Sequence, residues 1–215
     1  RALSLVSARV DSNLQRLSSG LRINSAADDA AGLAVSEKLS SDIRGYNQDT
    51  RNANDGISLI QVGESALGEI SSSLSRLREL ALQSSNGTLS DTDRLAIDSE
   101  FQALTSEIDR IAKTTDFSGT NPLNNTNSVS IQVGLNSGGN NVISLTGVNA
   151  TKSSLGLSAL SVSTQSKATG VLDNISTALT SVSSFRASFG AVQNRLQVSI
   201  RNLSVAIENS TAAAS

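Results

Sequence analysis

Apolar residues recur along most of this chain at intervals of three and four, the spacing that gathers them on one face of an α-helix. Leu3, Val6, Val10, Leu14 and Leu17 make the first such row, and Gly20 supplies a stop. Leu33, Leu39 and Ile43 mark a second face, which fades in the stretch RGYNQDTRNANDG. Gly45, Asn47, Asn52, Asn54 and Gly56 are all poor helix formers, so propensity alone predicts a break there. Beyond it Leu67, Ile70, Leu74, Leu77 and Ala81 keep heptad spacing. Asn86-Gly87 ends that helix, Ser90 or Thr92 caps the next, and Ile97, Phe101, Leu104, Ile108 and Ile111 give the new helix an apolar face. The short connector predicts an antiparallel pair.

The pattern then changes. TTDFSGTNPLNNTN, holding the single proline Pro122, reads as a loop. Apolar and polar residues alternate on both sides of Ser137-Gly138-Gly139-Asn140, with Val129, Ile131, Val133 and Leu135 on one face, which predicts a β-hairpin. Asn149 to Thr169 is rich in Ser and Thr and predicts irregular connection with some extended structure. The last segment is the plainest: Ile175, Val182, Phe189, Leu196 and Leu203 repeat every seven residues. Leu172, Leu179, Ile200 and Ile207 fall in a companion row that Arg186 and Gln193 interrupt. The predicted fold is mainly α, an elongated bundle of long antiparallel coiled-coil-like helices with a small β-hairpin region at one end. Its parts are residues 1–26, an N-terminal helix end and connector; 27–113, the N-terminal core helices; 114–170, loop and hairpin; and 171–215, the C-terminal core helix.

Composition narrows the chemistry. The chain has no Cys, His, Met or Trp, and aromatic residues make 2% of it while hydrophobic residues make 38%. Leu, Ile, Val and Ala must build the core, which suits helix seams better than an aromatic pocket. Thiolate nucleophiles, Cys-based zinc sites and the commonest general base are excluded. A net charge of -2 argues against nucleic-acid partners. No apolar run approaches the roughly 20 residues of a membrane span, so no membrane insertion is expected. The start RALSLVSARV shows no signal peptide and no Met, which predicts an internal fragment and, if the protein is secreted, export without a cleaved leader.

The adjacent acids Asp28 and Asp29 are the nearest thing to a catalytic or metal-binding pair. Neighbouring residues on a helix do not face one another, and no partner converges locally. Ser25 or Asp28 as N-cap, with Asp29 in the first turn against the helix dipole, is the predicted arrangement. Asp91 and Asp93 read as capping acids in the same way. Gly138-Gly139 lacks the Lys-Ser/Thr of a phosphate loop. Arg76 and Leu80 fall outside the seam of Leu74 and Leu77, which predicts an exposed leucine beside arginine: an interface patch, or simply a solvated helix face.

Four segments, LSSGLRINSAADDAAGLAVSEKL, LRELALQSSNGT, EIDRIAKTTDFSGT and FRASFGAVQNRL, resemble the terminal regions of bacterial flagellin and occur in that family's order. The resemblance implies a structural subunit of the extracellular flagellar filament, secreted, self-assembling and non-enzymatic, with no cofactor and no metal. It implies one helix running through the Asn/Gly patch from Asp29 to Gln83. It implies a connector, Leu21, Arg22, Ile23, Asn24, Asp28 and Asp29, that packs subunits together. Implied partners are further copies, other flagellins, and the filament cap and hook-junction proteins. It also implies recognition by the vertebrate flagellin sensor, toll-like receptor 5, through Arg76, Leu80 and Glu100, with Leu104 standing where some strongly stimulating relatives carry arginine. A large variable outer domain and a further C-terminal helix, common in the family, have no counterpart in these residues. A hook-filament junction protein is the nearer alternative reading, and a carboxylate-dependent hydrolase the more distant one.

Overall fold

The computed structural model describes residues 29–214 together with Val10, Asn13, Leu14, Leu17 and Ser18, these five being helical. The connector positions Leu21, Arg22, Ile23, Asn24 and Asp28 lie outside the described residues. The elements of residues 29–214 include helices α1 (Ala30–Ser85), α2 (Asp91–Thr114), α3 (Gln165–Gly170) and α4 (Leu172–Ala214); strands β1 (Ser128–Gln132) and β2 (Val142–Thr146) pair antiparallel.

Asp29 begins α1 as its N-cap and does not lie in the first turn. Its Oδ1 accepts from the N–H groups of Ala31 and Gly32, both at 3.0 Å, which satisfies two donors the helix cannot reach itself. At α2 the cap is Ser90. It exchanges hydrogen bonds with Asp93 in a capping box, and this bonding holds the Asp93 carboxyl below the usual carboxylate range.

The break that propensity predicts does not occur; α1 continues unbroken through the Asn/Gly patch for 56 residues. Ala53, Ile60, Leu67, Leu74 and Ala81 form one buried row, and Gly56, Gly63, Ile70, Leu77 and Ser84 form the other. The heptad therefore runs back through the patch, with glycine and alanine in core positions. The polar members point outward and satisfy themselves on the preceding turn: Asn47 donates to the Ile43 carbonyl and Asn54 to that of Thr50. Packing along a whole seam outweighs about 1 kcal/mol per glycine of lost propensity.

The partner of that seam is α4, antiparallel. Phe189 packs over Gly63 and Leu196 over Gly56, so seven residues forward on one helix match seven backward on the other. A Cβ built on Gly63 would stand 2.6 Å from Phe189 Cε2, and one on Gly56 would stand 2.5 Å from Ile131 Cδ1 and 3.2 Å from Leu196 Cδ1. The heptad row of α4 is buried throughout. The companion row is corrected: Ala178 and Val192, three residues after the heptad positions, are buried, whereas Leu172, Leu179 and Ile200 are half-buried against the same core. A helix touched on more than one side buries a wider stripe than a two-stranded seam. Arg186, which interrupts the companion row, reaches Glu64 of α1 at 3.6 Å.

On the other side of α1, α2 buries Phe101, Thr105, Ile108 and Ala112. The hairpin continues where α2 stops. Ile131, Ile143 and Leu145 are buried, Asn52 of α1 donates to the Gln132 carbonyl, and Leu135 packs over Gly45. The stretch expected to be irregular over 149–169 is corrected at its end, where residues 165–169 belong to α3. The rest, 149–164, is a strap laid along α2: Asp98 accepts from Val162 N–H at 2.6 Å, Asp109 from Lys152 N–H at 3.2 Å, and Ser84 donates to the Val162 carbonyl at 2.5 Å.

Two expectations test this seam. Gly63→Ala lowers stability by about 1–2 kcal/mol in urea denaturation, because overpacking against a buried ring exceeds the gain in helix propensity, while Gly68→Ala, with open space at its Cβ, raises stability by up to about 1 kcal/mol. Asp49 is 5% exposed with no partner for Oδ2, and burial pushes its pKa up. Its charge therefore opposes folding above the folded-state pKa and ceases to do so below the unfolded value. Asp49→Asn raises neutral-pH stability by about 1 kcal/mol, and the gain shrinks as the pH is lowered through the carboxylate range.

Candidate interaction surfaces

Arg76 lies on the outer face of α1 and joins two acids. Its Nη1 meets Glu79 Oε2 at 2.9 Å, and its Nη2 meets Glu100 Oε1 of α2 at 2.9 Å. The two carboxylates hold the guanidinium still more firmly in its charged form. All three side chains are about half exposed or more, so the network ties α1 to α2 weakly and remains open to solvent. Arg76 and Glu100, predicted as one patch, are thus together.

Leu80 is not exposed as expected. It is 1% exposed and belongs to the core beneath Arg76. The helix is contacted on more than one side, by α4 and by α2 among others, so a residue outside the first seam can still be buried. Leu104 is half-buried on α2 and packs against the same core. The apolar side chains that do reach solvent in this region are Leu82, 51% exposed, and Leu95, 60% exposed.

Sequence reasoning missed the acids that hold the strap. Asp98 and Asp109 are eleven residues apart, which is three helical turns and hence one face; that spacing was the available signal. Lys113, donating to Asp109, is the main reason the Asp109 carboxyl lies below its usual range. Also missed were Val198 and Val205 of α4, seven apart and both about half exposed, and Val35 of α1, 58% exposed.

Among the described residues no acids gather into a catalytic pair. Asp29 and Asp93 are occupied by capping, and Asp91 is occupied by Arg94 at 3.3 Å. Among the described residues no cluster of three metal-ligating side chains occurs, and no helix is long and apolar enough to cross a membrane. A groove of about 720 Å³ between α1 and the end of α2 holds Glu69, Arg110 and Asp116 on an open surface.

Comparison with known proteins agrees with a bundle built from the two ends of a chain. The bacterial flagellin N-terminal helical region matches residues 1–128, and the bacterial flagellin C-terminal helical region matches residues 172–215. A flagellin of Halalkalibacterium halodurans is 48% identical over 203 residues, covering 94% of this chain and 75% of the relative. The flagellar filament 31.3 kDa core protein of Treponema maltophilum is 40% identical, covering 100% of this chain and 80% of its own length. The crystal structure of Bacillus cereus flagellin superposes with a TM-score of 0.64 at 34% identity, covering 71% of this chain and 88% of that one. A heptad seam between terminal helices, carried by a sequence this close to flagellins along nearly its whole length, makes this chain a member of the bacterial flagellin family, a structural subunit of the flagellar filament and not an enzyme.

Proposed function

We propose that this chain is exported and assembles copy by copy into the extracellular filament, and that the face carrying Arg76 and Glu100 is read by the vertebrate flagellin-sensing toll-like receptor. The observation that carries assembly is the uneven closure of the bundle. From Ala30 to Gln48 no residue of α1 is buried, and after Leu203 none of α4 is. Yet Leu33, Leu39, Ile43, Ala206 and Ile207 are half-buried, and Val35, Val198 and Val205 stand in solvent. Two helices lying against each other cover only one side of each; neighbouring copies are the partners of the right length and chemistry for the rest. An unclosed heterologous contact repeated from copy to copy makes an open filament. Other flagellins, the cap and the hook-junction proteins would meet the same surfaces.

The receptor reading rests on the position of Arg76 and Glu100 by resemblance and on their shared, half-exposed ion pair. Leu80, buried under it, supports the patch from below and offers no direct contact in the free chain.

For assembly, Val35→Asp and Val198→Asp should leave monomer unfolding within about 0.5 kcal/mol of the parent, both sites being exposed. They should sharply reduce pelletable polymer when the full chain is seeded with filament fragments; polymer yields equal to the parent's would sink the proposal. For recognition, Arg76→Ala should weaken binding to the receptor ectodomain about 5- to 30-fold with under 1 kcal/mol of stability change. Leu80→Ala should instead lower stability by about 2–4 kcal/mol. Unchanged receptor affinity for both Arg76→Ala and Glu100→Ala would remove the receptor reading.

A further inference from the structure

The turn between α1 and α2 contains the chain's single Asn-Gly dipeptide, Asn86-Gly87, and both residues are exposed. Three hydrogen-bonding facts meet there. The Gly87 N–H makes no hydrogen bond among the described residues, so its nitrogen is uncommitted. Asn86 Oδ1 accepts from the Thr88 N–H at 3.3 Å, which polarises the side-chain amide carbon. The Asn86 main-chain carbonyl accepts from Arg94 Nη2 at 3.0 Å and from the Leu89 N–H at 3.4 Å. Arg94 itself is 3% exposed, spends its other contacts on the Leu89 carbonyl and on Asp91, and has a buried Nη1 without a partner.

We propose that Asn86 is a site of spontaneous conversion to isoaspartate, and that Arg94 directs the conversion to that product. In the first step the Gly87 nitrogen attacks Asn86 Cγ. The new N–Cγ bond closes a five-membered succinimide, the Gly87 proton leaves with the side-chain nitrogen, and ammonia departs. Glycine makes this approach possible because no Cβ crowds the attacking nitrogen. In the second step water opens the ring at one of its two carbonyls. Addition at Cγ, with cleavage of the new bond, gives aspartate; addition at the main-chain carbonyl, with cleavage of the original peptide bond, gives isoaspartate.

Arg94 discriminates between these openings. Its guanidinium already donates to the main-chain carbonyl oxygen, the atom on which negative charge develops when water adds there. The product of that route is a free carboxylate made from the same carbonyl. It lies against a buried cation with one nitrogen unpartnered, a charge-assisted contact that the neutral peptide cannot equal. The chain now runs through the former side chain, lengthening the α1–α2 turn by one carbon while the carboxylate keeps its anchor on Arg94.

The test is a slow incubation of the full chain in mildly alkaline buffer at physiological temperature, followed by tryptic mapping. The peptide Glu79–Arg94 has Asn86 as its only asparagine, and electron-transfer fragmentation separates the two acid isomers. Asn86 should deamidate ahead of every other asparagine, and its isoaspartate-to-aspartate ratio should exceed that of the free synthetic peptide about twofold or more. Gly87→Ala should slow the reaction roughly tenfold or more. Arg94→Lys, checked for folding by circular dichroism, should return the ratio to the peptide's value, since a point charge cannot hold all the fork's partners. A ratio in the folded parent chain no higher than the free peptide's, or another asparagine reacting first, overturns the proposal, even if Arg94→Lys does not fold.

Discussion

Phe189 fits between the two long helices because Gly63 has no side chain, and most of the molecule follows from that contact. The ring is fully buried, and the nearest glycine Cβ position is only 2.6 Å away. One heptad along, Gly56 receives Leu196 from α4 and Ile131 from β1 at once. The two glycines draw α4 and the hairpin close to α1, and they fix the antiparallel register that places every other heptad residue. They occupy a stretch where helix propensity is poor, so α1 is continuous there because of what packs on it.

This explains which parts of the fold were legible. The heptad of α4 and the later part of α1, from Leu67 to Ala81, are written in Leu, Ile, Val, Phe and Ala, and a pattern of apolar residues can be read directly. The first half of the same seam is written in Ala53, Gly56 and Gly63, where the apolar partner stands on the other helix. A single-chain pattern cannot show a knob that comes from elsewhere. Leu80 failed for a related reason: periodicity gives one face per helix, whereas α1 has two covered faces. The strap was illegible because Asp98 and Asp109 hold it by its backbone N–H groups, which have no side-chain signature.

The candidate surfaces divide along the same line. Arg76 and Glu100 could be paired from the sequence only through a resemblance, since they are on different helices; the structure supplies the 2.9 Å contact that makes them one patch. The paired acids at Asp28 and Asp29 resolve differently. Asp29 is used up in starting α1, and a carboxylate holding two backbone N–H groups at 3.0 Å is not free for acid-base chemistry. Asp49, by contrast, stands in a core position of α1 seven residues before Gly56 and finds no donor for one oxygen.

That buried acid marks where the seam changes character. From Ala53 to Ser84 the α1 heptad is closed by α4, α2, the hairpin and the strap, and its rows are fully buried. On the N-terminal side of Asp49 no residue of α1 is buried: Leu135 packs over Gly45, and the larger apolar side chains are half-buried or exposed. A monomer could have ended its helices where the third layer ends. Here both continue for several turns with valines in solvent, a form that leaves apolar surface only partly covered among the described residues. The core therefore serves as a rigid clamp that presents two long helices in fixed register, and the partly covered length on the N-terminal side of Asp49 is where the proposed packing between copies would act.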